Sequence, residues 1–139
     1  MKIQSYYFNK KSENAQKVAE RIAREYTVKA DQLPPAYQPE REAVLFITFE
    51  SGKVDEKLSK FCKSLNVNKA KTVAFGVVGK DKEGLDELKK IVTDCGLSVW
   101  DDVYFAEMKG GLFSKGKLTD EQLSAGLAWA KGIVAKITE

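Results

Sequence analysis

Residues 43–49, Ala43-Val44-Leu45-Phe46-Ile47-Thr48-Phe49, decide how the rest of the chain is read. The run is apolar on both of its alternating faces, so a strand formed from it must be covered on both sides. That is the mark of a central strand in a parallel sheet flanked by helices. A second run of the same kind, Thr72-Val73-Ala74-Phe75-Gly76-Val77-Val78, follows it. Between them Val54, Leu58, Phe61, Cys62 and Leu65 recur at helical spacing. Strand, helix and strand in that order make a right-handed crossover, and the two strands run parallel.

Towards the N-terminus, Lys2 to Phe8 (KIQSYYF) is rich in strand-forming residues. After the loop Asn9 to Ala15, an amphipathic helix carries Ala15, Val18, Ala19, Ile22, Ala23 and Tyr26 on one face. The spacing predicts a weak second strand near Thr27 to Lys29. The following DQLPPAYQPERE holds Pro34, Pro35 and Pro39 and cannot form a long regular helix. Towards the C-terminus, GKDKEG is a loop, and Leu85, Leu88, Ile91, Val92 and Cys95 mark a third helix that Gly96 ends in a left-handed conformation. Ser98 to Ala106 reads as a fifth strand, interrupted at Asp101-Asp102. A last helix begins at Thr119 as N-cap, with Gln122 completing a capping box, and directs Leu123, Leu127, Ala130, Val134 and Ile137 inward. The expectation is one α/β domain over residues 1–139, a doubly wound five-stranded parallel sheet with about four helices.

Composition narrows the chemistry. The chain is 43% hydrophobic and 31% charged, an ordinary globular balance. It has no stretch of the roughly 18 apolar residues needed for a membrane span and no apolar run after Met1-Lys2, so a soluble cytoplasmic protein is expected. There is no histidine, which removes the commonest general base and the commonest transition-metal ligand. Cys62 and Cys95 are the only cysteines and form neither a CxxC pair nor a zinc pattern; buried, reduced thiols are expected. A net charge of +3, with lysines dispersed along helix faces, argues against nucleic-acid binding.

In a doubly wound sheet, ligands bind beyond the carboxyl ends of the strands, where the strand order reverses. The loop after the first strand, Asn9-Lys10-Lys11-Ser12-Glu13-Asn14-Ala15, leads directly into a helix, whose free amides and dipole favour an anion. Lys10, Lys11, Ser12 and Asn14 are candidate phosphate ligands. The structural alternative is that Ser12 caps the helix and the lysines are solvated.

YYFNKKSENAQKVAERIA (residues 6–23) resembles the opening strand, phosphate loop and first helix of flavodoxins, whose loop reads S/T-x-T-G-N-T. Ser12 stands for the threonine and Asn14 for the asparagine. Glu13 stands in place of the glycine, Ala15 of the last threonine and Lys10 of the first hydroxyl residue. A carboxylate at Glu13 opposes a phosphate dianion unless it turns outward or pairs with a lysine. FITFESGKVDEKLSKFCKSL (46–65) and KTVAFGVVGKD (71–81) resemble a short-chain flavodoxin-like subgroup reading F-W-x-D-K-G-x-x-D-E-K and K-V-A-L-F-G-T-L-G. Gly52, Asp55, Glu56 and Lys57 match directly. Tyr104 to Gly111, including Lys109-Gly110-Gly111, resembles the same subgroup's F-x-C-Q-G-K ending, and a basic segment, LFSKGK, follows.

The resemblance implies a flavodoxin-like sheet of order 2-1-3-4-5 and an FMN site. That site would comprise Asn9, Lys10, Lys11, Ser12, Glu13, Asn14 and Ala15, then Phe49, Glu50, Ser51 and Gly52, then Gly79, Lys80 and Asp81. Phe49 would stack on the flavin ring, or else belong to the core. The implied function is electron transfer with a partner protein, which would present an acidic face to this mildly basic chain. The alternatives are a flavodoxin-like domain that has lost FMN and serves as a protein-binding or regulatory module, and a small NAD(P)H-dependent reductase.

Overall fold

The computed structural model describes residues 1–108 and 116–138. Its elements are β1 (Ile3–Phe8), α1 (Asn14–Glu25), β2 (Asp31–Gln32), β3 (Glu42–Glu50), α2 (Glu56–Lys63), β4 (Ala70–Gly79), α3 (Leu85–Asp94), β5 (Ser98–Val99), β6 (Tyr104–Glu107) and α4 (Asp120–Thr138). All strands pair in parallel in the order β2-β1-β3-β4, with β5 and β6 both on the outer edge of β4. The expected fifth strand thus exists as two pieces, one on either side of residues 100–103. The order 2-1-3-4-5 holds when the pieces are taken together.

The two apolar runs form β3 and β4, the centre of the sheet, where Val44–Phe49 and Val73–Val78 are all buried. Their side chains feed two cores on opposite faces. Leu45, Ile47, Phe49, Phe75 and Val77 meet α2 and α3 through Leu58, Phe61, Leu88 and Val92. Val44, Phe46, Ala74 and Val78 meet α1 and α4 through Val18, Ile22, Trp129 and Ile133. Each such side chain contributes about 1.5–3 kcal/mol on leaving water, so covering both faces is what makes so apolar a sheet stable.

The short second strand lies at Asp31–Gln32 and not at Thr27–Lys29. The reason is the way α1 ends: Val28 N–H bonds back to the Ala23 carbonyl, Thr27 N–H to that of Arg24, and Thr27 adopts φ 56°. This left-handed stop excludes Thr27 from a strand and delays pairing until the chain has turned beside β1. The C-terminal stop of α3 is as expected, with Gly96 at φ 92°. Helix α4 carries the expected capping box: Gln122 N–H donates to Thr119 Oγ1 at 3.1 Å, and Thr119 N–H to Gln122 Oε1 at 3.0 Å. Its buried centre is Gly126, Trp129, Ala130 and Ile133, with Leu123, Leu127, Val134 and Ile137 half-buried on the flanks. Trp129 draws the face round because its indole N–H reaches the Asp102 carbonyl at 2.8 Å.

Among the described residues, no helix is long and apolar enough to cross a membrane, and no cluster of His, Cys, Asp or Glu could hold a metal ion. Both cysteines are free, and they are neighbours across the α2–α3 contact. Cys95 Sγ lies 3.5 Å from the carbonyl oxygens of Cys62 and Lys63.

Candidate functional site

The carboxyl ends of β1, β3, β4 and β6 finish level with one another, with Phe8 beside Phe49, Phe49 beside Val77 and Val77 beside Phe105. The loops that leave them enclose a cleft of about 790 Å³. Its walls come from Lys10–Asn14 and Lys17 on one side and Glu50–Lys53 on the other. Val78, Gly79, Met108, Gly116 and Lys117 complete it. Five lysines and two glutamates make this surface cationic.

The loop after β1 is a working anion nest. The backbone N–H groups of Lys10, Lys11 and Ser12 all donate to the side chain of Glu50, those of Lys11 and Ser12 at 2.7 and 2.9 Å, and the Ser12 hydroxyl donates to it as well. Three successive amides converge on one carboxylate because the chain curls tightly between the end of β1 and the start of α1. Ser12 Oγ also accepts from Asn14 N–H at 3.2 Å, so it serves the first helical amide as well as lining the nest, with Glu13 at the N-cap position. The Lys10 ammonium crosses to the Lys53 carbonyl and ties the two walls together.

The remaining expected site residues divide sharply. Glu13 is exposed and lines the cleft, and the carboxylate that accepts from the amides is that of Glu50. Asn14 is 5% exposed and gives its side-chain N–H to the Gly116 carbonyl at 2.8 Å, not to the nest. Asn9 braces the loop through two bonds to Gln16 and stands outside this cleft. Ala15 is wholly buried beneath it. Ser51 and Gly52 line the opposite wall, but their amides are spent on the carbonyls of Val78 and Glu83.

Phe49, Lys80 and Asp81 also stand outside the lining of this cleft. Phe49 is 2% exposed and meets Phe75 edge to face at 6.1 Å, so its ring belongs to the core and offers no face to a ligand. Alternation along β3 explains this: Phe49 shares a face with Leu45 and Ile47, both wholly buried. Lys80 and Asp81 are exposed beyond the cleft, and Asp81 Oδ1 accepts from Glu83 N–H in a local turn; of that loop only Gly79 reaches the site. Lys109-Gly110-Gly111 and most of LFSKGK lie outside the described residues.

Val78, Met108, Lys17, Lys53 and the Gly116-Lys117 pair join the site without having been expected there. Lys17 stands one helical turn after Glu13 and was open to inference from spacing. Gly116 and Lys117 arrive from the far side of the chain through the Asn14 contact, which no local pattern signals.

Neither a protein-family model nor a curated protein matches the sequence. Solved structures do match the shape. A short-chain flavodoxin associated with a non-canonical PDU bacterial microcompartment superposes with a TM-score of 0.66 at 12% identity, covering 99% of both chains. The Flv1 flavodiiron core from Synechocystis sp. PCC6803, metal-soaked, superposes at 0.64 with 16% identity over 97% of this chain and 36% of that one. The chain therefore has the flavodoxin-like fold, as the sequence resemblance implied.

Proposed function

We propose that the protein is a cytoplasmic FMN-binding electron carrier that exchanges electrons with a partner protein. The observation that supports this most directly is the nest itself: three amides and a hydroxyl converge on an oxyanion where β1 meets α1 and the strand order reverses. A phosphate monoester matches that donor set in charge and in number of acceptors. Lys10, Lys11 and Ser12 would hold the phosphate, and Lys17 and Lys117 would screen its charge from the cleft walls. Met108, half-buried at the cleft, would supply the apolar contact for the ring; among the described residues no aromatic side chain lines the cleft.

FMN, when bound, supplies one- or two-electron chemistry through its isoalloxazine. The protein's part is to anchor the phosphate, to position the ring at the open rim and to shape the field around it. The cationic lining extends to that rim, so a partner steered there would carry an acidic face.

A second reading is a flavodoxin-like module that binds another protein without FMN. Two observations favour it: Phe49 is committed to the core, and Glu50 fills the nest. An absorbance scan of the purified protein, before and after incubation with FMN and removal of the excess, separates the two. Retained flavin bands in the blue and near ultraviolet support the carrier; a colourless protein after incubation leaves the cofactor-free module.

A further inference from the structure

We infer that Glu50 is the resident anion of the nest, an internal competitor that any phosphate must displace to enter. This rests on the reading of the cleft as a phosphate-ester site and adds to it the device that governs entry. Glu50 ends β3, where the alternation that buries Phe49 turns the next side chain the other way, out of the core and across the cleft. Its two oxygens absorb all four donors: Oε2 takes the amides of Lys10 and Lys11, and Oε1 takes the amide and hydroxyl of Ser12. Charge-assisted bonds of this kind are the strong ones, and here they span two loops 38 to 40 positions apart.

The contact sets a threshold for ligands. The cleft is cationic, so anions are drawn to it, yet the three amides that converge in the nest are already engaged by Glu50. A competitor must offer more charge or more acceptor oxygens than one carboxylate, which a phosphate monoester does. The apparent affinity of such a ligand is its intrinsic affinity reduced by the fraction of molecules in which Glu50 has swung away. A neutral ligand entering the same cleft does not meet this competition. The carboxylate therefore weakens FMN and inorganic phosphate together while leaving riboflavin untouched, and it keeps the nest satisfied whenever no phosphate is present.

The test uses the whole chain as wild type, Glu50→Gln and Glu50→Ala. Inorganic phosphate is titrated while the amide signals of Lys10, Lys11 and Ser12 are followed by NMR, and FMN and riboflavin binding are followed by flavin fluorescence. Removing the charge is expected to tighten phosphate and FMN by about tenfold or more, with riboflavin unchanged. In the wild type, phosphate saturation should shift the Glu50 side-chain carboxyl carbon signal as it is displaced, a readout that requires no variant to fold.

Equal or weaker phosphate binding in the variants, phosphate binding to none of the three proteins, or saturation of the wild-type amides with the Glu50 carbon unmoved would overturn the inference. Phosphate gains without FMN binding to any of the proteins would retire the flavin reading and leave the role of Glu50 standing. FMN bound equally by all three would do the reverse.

Discussion

The side-chain amide of Asn14 donates to the Gly116 carbonyl at 2.8 Å, fastening the first turn of α1 to chain 102 positions away. Asn14 is 5% exposed, so water cannot readily take the partner's place. Asn14→Ala is expected to cost about 1–2 kcal/mol, read as a lower urea midpoint with an unchanged slope. An unaltered midpoint would mean that the approach to α4 is held by other contacts.

Ser12→Ala removes the hydroxyl donor from the nest and the acceptor that Asn14 N–H uses at 3.2 Å. Hydrogen bonds to charged groups are worth about 1.5–3 kcal/mol; since the same hydroxyl also serves Glu50, the loss is read against Glu50→Ala, where adding Ser12→Ala should weaken FMN binding by roughly tenfold or more. Quenching of FMN fluorescence measures it. Unchanged affinity would place the phosphate elsewhere.

Gly84 precedes α3 with φ 97°, and a β-carbon there would come within 2.9 Å of the Gly52 carbonyl oxygen. Backbone, not a flexible side chain, stands in the way. Gly84→Ala should destabilise the fold by about 1–3 kcal/mol through a left-handed penalty added to a clash. A thermal melt decides this, and a variant as stable as wild type would show that the turn rearranges freely.

Glu42 opens β3 at 3% exposure, with one carboxyl oxygen unpartnered and the Lys2 ammonium 3.8 Å from the other. Burial raises its pKa above the usual carboxylate value more than Lys2 lowers it. The native state therefore keeps this proton over an interval in which the unfolded chain has lost it, and stability falls as pH rises through that interval. Glu42→Gln should match wild type most closely in acid and exceed it by about 1 kcal/mol at neutral pH, as denaturant titrations at several pH values would reveal. A gap that instead narrowed with rising pH would show that the Lys2 pair outweighs the burial.

The two thiols should react in order. Burial, with a further contribution from Cys95, pushes the Cys62 thiol up to about 12, whereas Cys95 is only partly buried. Iodoacetamide at mildly alkaline pH is expected to add once to the native protein, at Cys95, and to reach Cys62 at least about a hundredfold more slowly until denaturant is added. Mass spectrometry of the adducts reads the order; equal labelling would show that α2 opens readily.

The fold was legible where side-chain chemistry repeats. AVLFITF and TVAFGVV could be satisfied only between two layers of helix, and the Thr119–Gln122 box marked the start of α4 because both partners lie within one turn. The second strand was misplaced because a left-handed Thr27 is set by how α1 ends, not by the strand propensity of Thr27 and Val28. In the site, Lys10, Lys11 and Ser12 were readable from their position between a strand and a helix. The acidic group that faces them was sought in the neighbouring Glu13, while Glu50 supplies it across a parallel pairing that only the folded sheet creates. Phe49 was ambiguous for the same reason, since an apolar run hides which face each residue takes.

Trp100 and Trp129, the protein's only tryptophans, flank the break between β5 and β6: one indole N–H is held by Thr72 Oγ1 at 3.0 Å and the other by the Asp102 carbonyl. Ultraviolet emission from this molecule consequently reports on the outer margin of the sheet, through Trp100, and on the seat of α4 against Phe46, through Trp129, and not on the lysine-lined cleft. Far-ultraviolet dichroism, by contrast, averages over all the helices. If the two signals fade at different temperatures, the margin and the α4 seat come apart from the other helices as their own melting unit; if they fade together, they form one cooperative body.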